Sequence, residues 1–203
     1  MQTGLIVLLA YVAGSFPTGY LMGRVKGIDL RKYGSGATGA TNALRVLGPW
    51  YAAVVALLDI AKGGLATFIG LRYAGLDPVT GGVLAGLAAV VGHNWSPFLG
   101  FTGGRGVATA TGVAAVLLPI PLLWAVGVFV GVIALTRWVS LGSLCAALTL
   151  GIATLALPVG WTLRAFAWMA VVFIFVRHRA NIARLLAGTE SKLGERVKVD
   201  PGR

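Results

Sequence analysis

Apolar runs of roughly bilayer length recur from one end of this chain to the other, and nothing else in the sequence constrains its fold so strongly. A helix needs roughly 20 apolar residues to cross the hydrocarbon core, and candidates lie near residues 2–24, 48–71, 79–98, 138–157 and 161–177. The stretch 106–135 is longer than one span requires and is interrupted by Pro119 and Pro121. Proline removes a backbone donor and clashes with the preceding turn, so the pair favours two short spans turning at "PIP" over one tilted helix. Only 11% of the residues are charged and mean hydropathy is +0.86, where a soluble domain carries about 25% charged residues. The chain therefore reads as an all-α polytopic membrane protein. No basic n-region or A-x-A site precedes the first run, so that run is expected to remain as a helix.

Charge decides the number of passes. The formal net charge of +11 would suggest nucleic acid in a soluble protein, but in membrane proteins Lys and Arg concentrate in cytoplasmic loops. With seven spans, one side receives Arg24, Lys26, Arg31, Lys32, Arg45, Arg105, Arg137 and the seven cations from Arg177 to Arg203. The other side receives Arg72 and Arg164, and Lys62 lies within a span. Six spans would divide the cations seven against nine, contrary to the positive-inside rule. The expectation is one domain over 1–203 with seven transmembrane helices in the plasma or inner membrane. Its N-terminus is outside and its C-terminus cytoplasmic, with a loosely ordered tail at about 197–203. This topology gathers three polar segments, 24–47, 93–105 and 177–196, on the cytoplasmic face.

The first segment contains "KYGSGATGATNALRVLG", in which Gly34, Gly36 and Gly39 satisfy G-x-G-x-x-G. A dinucleotide site needs that pattern after a strand and within a βαβ unit. Here a membrane helix precedes it, so the dinucleotide reading fails. The remaining physics is anion binding: glycines let backbone N–H groups converge, and a following helix N-terminus adds positive potential. Thr38 or Thr41 is placed to cap that helix, Ser35 and Asn42 offer further donors, and Arg45 stands one turn in. The same glycines also suit a tight re-entrant turn packed between helices. The second segment, "GHNWSPFLGFTGGRGVATATG", brings His93 and Asn94 to the end of a span. It then carries Arg105 on a turn with Gly103 and Gly104, and arginine suits bidentate phosphate contact. Trp95 there fits an interfacial belt and His93 a structural hydrogen bond. In the third, "VRHRANIARLLAGTESKLGER", His178 and Asn181 are i, i+3 neighbours on a helix face, flanked by Arg177 and Arg184. Within the bilayer, Asp59 and Lys62 are one turn apart and read as a local ion pair.

Absences narrow the chemistry. Neither histidine begins H-x-x-x-x-D, since Phe98 and Ala183 occupy the acidic position, and there is no G-x-S-x-G elbow. The six carboxylates, Glu190 among them, show no metal-ligand or D-x-x-D spacing, and the single cysteine, Cys145, excludes an internal disulfide. Two phosphate-loving loops with His and Asn, and no metal site, suit a reaction between two phosphorylated partners, one already activated. A transporter of a small phosphorylated anion is the competing class. It calls for a midplane site between related halves, and no internal repeat is evident.

These stretches, with "GSFPTGYLMGR" in the first helix and "RWVSLGS" before the sixth span, resemble the PlsY family of integral-membrane acyl-phosphate:glycerol-3-phosphate acyltransferases in order along nearly the whole chain. The resemblance implies seven spans with a cytoplasmic site. The implied reaction moves an acyl chain from acyl phosphate to the 1-hydroxyl of glycerol 3-phosphate, giving lysophosphatidic acid and phosphate. No cofactor, metal, nucleic acid or obligate protein partner is implied, only the two substrates and membrane lipid. By position, Gly34, Ser35, Gly36 and Gly39, with Thr41 and Asn42, would hold the acyl-phosphate head group. Arg45, Arg105, Ser143, His178 and Asn181 would hold glycerol 3-phosphate, with Ser35, His178 and Asn181 central to catalysis. His93, Asn94, Gly103, Gly104 and Glu190 are further candidates. Arg105 stands where the family pattern has lysine. For the hydroxyl proton, His178 and the leaving phosphate compete as acceptor, and His178 is expected mainly to position substrate.

Overall fold

Proline opens four of the helices or helical turns and glycine packs their faces together. The computed structural model describes residues 1–197, so most of the expected loose tail lies outside the described residues. The first apolar run forms α1 (Gln2–Gly14) and α2 (Thr18–Val25), broken at Pro17. A short α3 (Ala40–Val46) follows the glycine loop, and then α4 (Pro49–Tyr73) and α5 (Pro78–Asn94) form a hairpin. Both begin on proline at the first helical position, where the missing N–H costs nothing, and Asp77 caps α5 by accepting from Val79 and Thr80 N–H. The next run is two helices, α6 (Val107–Leu117) and α7 (Pro119–Thr136), hinged at Leu118 as the two prolines require. They lead into α8 (Val139–Ala156), α9 (Trp161–Arg177) and a short α10 (Arg179–Leu186).

Four helical units of the described residues are long and apolar enough to cross a bilayer: 2–25 taken together, Pro49–Tyr73, Pro119–Thr136 and Val139–Ala156. The pair α9 and α10, bent by 61°, makes a fifth if the two are counted as one broken span. At 17 residues α5 is slightly short. The 11 residues of α6 rise only about 16 Å, roughly half the hydrocarbon thickness. The expected span 79–98 also ends early, because α5 stops at Asn94 and the chain turns through a single 3₁₀ turn at Pro97–Leu99.

Tight helix contacts need small residues where lipid supplies no hydrophobic drive. A methyl group on Gly63 would collide with the Thr109 carbonyl and one on Gly112 with that of Ile60, so α4 and α6 touch backbone to backbone. Gly70 and Gly81 do the same for α4 and α5. A core of Val83, Val90, Val113, Leu118 and Phe166 fills the space between α5, α6 and α9. The polar loops at one end of this bundle are thus carried on closely fixed helix ends.

Candidate active site

The first glycine loop is built on Asn42. Its Nδ2 donates to the carbonyls of Leu30, Tyr33 and Ala37 at 3.2, 3.1 and 2.9 Å, while Oδ1 accepts from Ser35 N–H at 3.0 Å. Gly34 and Gly36 take φ of +61° and +69° to make this turn, and a methyl group on Gly34 would also strike Asn42 Oδ1. Asn42 therefore sits beneath the loop with its donors engaged, rather than offering them to a ligand as expected. Gly39, not a threonine, is the N-cap of α3, and neither Thr38 nor Thr41 caps it. An extended N-cap with no side-chain acceptor leaves the first N–H groups of α3 open. The Ser35 hydroxyl has no partner among the described residues.

The second loop folds back on the end of α5. Gly104 N–H donates to the His93 carbonyl at 3.2 Å. A methyl group on Gly103 would meet that carbonyl, one on Gly104 the His93 ring, and one on Gly106 the Asn94 amide. Arg177 clamps the loop from outside: Nε and Nη2 reach the Gly104 carbonyl at 3.1 and 2.7 Å, and its guanidinium lies 5.3 Å from the Trp95 ring centre. Trp95, which also meets Phe173 edge-on, is thus a platform for this clamp in addition to any belt role. Arg105 itself makes no hydrogen bond or ion pair among the described residues. Burial pushes its pKa down to about 10, so it is cationic at neutral pH.

The third wall closes over these two. The helix expected to run through His178 and Asn181 bends at an elbow, His178, which ends α9 and caps α10. Asn181 still follows it within the first turn of α10, where Ile182 N–H donates to the His178 carbonyl at 2.8 Å. His178 Nδ1 is 2.8 Å from the Ile174 carbonyl, which fixes Nδ1 as the donor and leaves Nε2 as an acceptor. Burial, then the Arg105 charge, lowers the pKa of His178 to about 4. Beyond the elbow Glu190 joins α8 to α10: Oε1 accepts from Ser140 Oγ at 2.8 Å and Asn181 Nδ2 at 2.6 Å, and Oε2 from Arg184 Nε at 2.7 Å. Burial raises the Glu190 pKa, but the hydrogen bonds from Asn181, Ser140 and Arg184 outweigh it and hold the carboxyl below its usual value. The segment after Glu190 latches the remaining loops. Arg45 donates to the Ser191 carbonyl at 3.0 Å and its own carbonyl accepts from Val197. Arg137 exchanges bonds with Leu193. Burial lowers the Arg45 pKa.

Between these walls lies a cavity of about 470 Å³. Its polar end is lined by Ser35, Thr41, Asn42, Arg105, Ser140, Ser143 and His178, with Asp59 and His93 beside them. Its other end runs as an apolar arm between α6, α7, α8 and α9, past Ala114, Ala125, Phe129, Ala147 and Leu150. Among the described residues there is no cluster of side chains able to hold a metal ion.

Residues 4–188 match the family model for glycerol-3-phosphate acyltransferase. The chain belongs to the glycerol-3-phosphate acyltransferase family. Curated members from Symbiobacterium thermophilum and Thermus thermophilus are 47% and 46% identical, each over 95% of this chain and 96% of its relative. Two crystal structures of PlsY, an integral membrane glycerol 3-phosphate acyltransferase, superpose over 95% of this chain and 96% of theirs. The glycerol 3-phosphate form has TM-score 0.89 at 36% identity, and the lysophosphatidic acid form 0.86 at 34%.

For this acyltransferase-family chain, the sequence-predicted residues fall into two groups, since Gly34, Gly36, Arg45, Asn94, Gly103, Gly104 and Glu190 do not line the cavity. Ser35, Thr41, Asn42, Arg105, Ser143 and His178 line it, and Asn181 stands behind it on Glu190. The Ser143 hydroxyl donates back to the Val139 carbonyl at 2.9 Å. Sequence reasoning did not single out Ser140, whose only signal is its i, i+3 spacing with Ser143 on α8. The expected local pair of Asp59 and Lys62 forms, at 2.8 Å, and Asp59 in addition lies on the cavity wall.

Proposed function

We propose that this protein transfers an acyl chain from acyl phosphate to the 1-hydroxyl of glycerol 3-phosphate, giving lysophosphatidic acid and phosphate. The observation that carries the reading is Arg105, a largely buried guanidinium without a protein partner among the described residues, on a cavity that also has a glycine loop and an apolar arm. A desolvated, unpaired cation calls for an anion, and arginine is suited to a phosphate. A long apolar arm next to it calls for a chain.

In this reading the first loop, through Ser35 and the backbone of Gly34, Gly36 and Gly39, holds the acyl-phosphate head group, and the arm holds the chain. Arg45, Arg105, Ser143, His178 and Asn181 hold glycerol 3-phosphate. The glycerol oxygen forms a bond to the acyl carbon, and the bond from that carbon to the phosphate oxygen breaks. Because phosphate is already a good leaving group, positioning supplies most of the rate. A histidine with a pKa about 4 is poorly matched to deprotonate an alcohol near pH 7. His178 Nε2 therefore accepts a hydrogen bond from the hydroxyl and orients it, and the leaving phosphate takes the proton. The chain crosses the membrane seven times, with this cavity toward the cytoplasm, where the cations accumulate.

The test is purified protein given glycerol 3-phosphate with either palmitoyl phosphate or palmitoyl-CoA, in EDTA. Phosphate release matched by lysophosphatidic acid with the acyl phosphate alone is the expected result. Activity only with the CoA thioester would overturn the donor. Silence with both, in protein shown to be folded, would return the reading to transport of a phosphorylated anion.

A further inference from the structure

One buried ionic cluster is not used by the reaction just described. Asp59, 1% exposed in α4, accepts on Oδ1 from Lys62 Nζ at 2.8 Å and Thr18 Oγ1 at 3.1 Å, with His93 Nδ1 3.6 Å away. Lys62 also donates to the Phe16 carbonyl at 3.0 Å. Oδ2 has no partner among the described residues. A simple i, i+3 pair on one helix needs neither Thr18 nor His93, and has no reason to lie on the cavity wall. Here the partners come from the start of α2, from α4 and from α5.

Each outer partner is tied to one of the two glycine loops, Thr18 through its neighbour Gly19 and His93 directly. Thr18 adjoins Gly19, where a methyl group would collide with the Thr38 carbonyl of the first loop. His93 packs its ring on Gly104 and binds Gly104 N–H through its carbonyl, one residue before Arg105. A single carboxylate therefore lies between the element under one loop, to which it is hydrogen-bonded, and the element under the other, which it approaches to 3.6 Å. We propose that Asp59 is a positioning residue that sets the separation of the two loops, and so of the two phosphorylated substrates. This rests on the acyltransferase reading. In that reading acyl phosphate rests on the first loop, and glycerol 3-phosphate on Arg105 of the second together with residues outside both loops. Loosening the link therefore leaves most binding contacts in place but misaligns the reacting atoms. A misplacement of about 1 Å costs on the order of 100-fold in rate.

The expected signature of Asp59→Asn is a fall in kcat of roughly 100-fold, with KM for both substrates and the stoichiometry of glycerol 3-phosphate binding held. Thr18→Val, which removes one hydroxyl and keeps the shape, loses roughly tenfold by the same route. It carries the test with His93→Gln if the asparagine variant does not fold. Nitroxides on Lys32→Cys and Phe98→Cys, in a Cys145→Ala background, report the loop separation directly by pulsed electron resonance. Asp59→Asn is expected to shift or broaden that distance. Parental kcat in the folded variants, a rise in one KM that accounts for the whole loss, or an unchanged distance distribution overturns the proposal. An unmodified protein silent toward acyl phosphate would refute the acyltransferase reading instead, and the spin-label distance would still decide the role of Asp59.

Discussion

Replacing Glu190 probes how the third wall of the cavity is held. Its side chain is 1% exposed and receives three hydrogen bonds, from Ser140, Asn181 and Arg184. Glu190→Ala removes all three acceptor contacts and strands Asn181 Nδ2, whose neighbour Oδ1 is already without a partner among the described residues. Breaking a buried charged contact of this kind costs about 3–5 kcal/mol, with little of it from Arg184, which is 37% exposed and can turn to water. Glu190→Gln keeps an acceptor for Ser140 and Asn181 and turns its NH₂ toward Arg184, so its cost is about 1–2 kcal/mol. At roughly 2–4 °C per kcal/mol for a chain of this size, thermal unfolding in detergent should fall by about 6–20 °C for alanine and about 2–8 °C for glutamine. The KM for glycerol 3-phosphate should rise in the same order. Equal losses for the two variants, or an alanine variant within about 2 °C of the parent, would refute this account. The pH dependence has a fixed sign, because the folded carboxyl is more acidic than the unfolded one. Its contribution is complete at neutral pH and is lost as pH falls from about 4.5 through the lower folded value.

Arg105→Met should raise the KM for glycerol 3-phosphate by roughly 10- to 100-fold, the loss of one charged hydrogen-bonding group. Arg105→Lys should cost less than roughly tenfold, because it keeps the charge and loses the fork; steady-state kinetics in both substrates separates the two. Gly34→Ala must hold an alanine at φ +61° against Asn42 Oδ1. Strain of about 1–2 kcal/mol should lower kcat/KM for acyl phosphate at least tenfold while glycerol 3-phosphate binding holds. With the His178 pKa near 4, the pH–rate profile should show no inflection near 6.5. Stability should decline as pH falls from 6.5 toward 4, where only the unfolded imidazole takes a proton. His178→Gln should retain turnover at saturating glycerol 3-phosphate; its abolition with binding intact would make His178 the base.

Apolar run length was enough to find the bundle because it is a property of single segments. The hinge at Leu118 was legible for the same reason, since Pro119 and Pro121 act locally. The inverted role of Asn42 was not legible: its amide faces three carbonyls 12, nine and five residues away, a closure that only the folded loop creates. Glu190 could be named as a candidate but not given its work. Its partners Ser140 and Asn181 lie 50 and nine residues away, and no local pattern marks them as neighbours. The 61° bend at His178 was not legible either, because sequence spacing assumes a straight helix.

The latch formed by residues 190–197 has a consequence for biosynthesis. The first glycine loop is translated within the first fifty residues, yet Arg45 is secured only by Ser191 and Val197, and Asn181 only by Glu190, among the described residues. A ribosome inserting this chain helix by helix thus completes the membrane-embedded arm with α9, before the polar end of the cavity can close. Nascent chains stalled upstream of Glu190 would dock in the bilayer with an unfinished pocket. Completion of the pocket is thereby deferred until the last helix has been inserted.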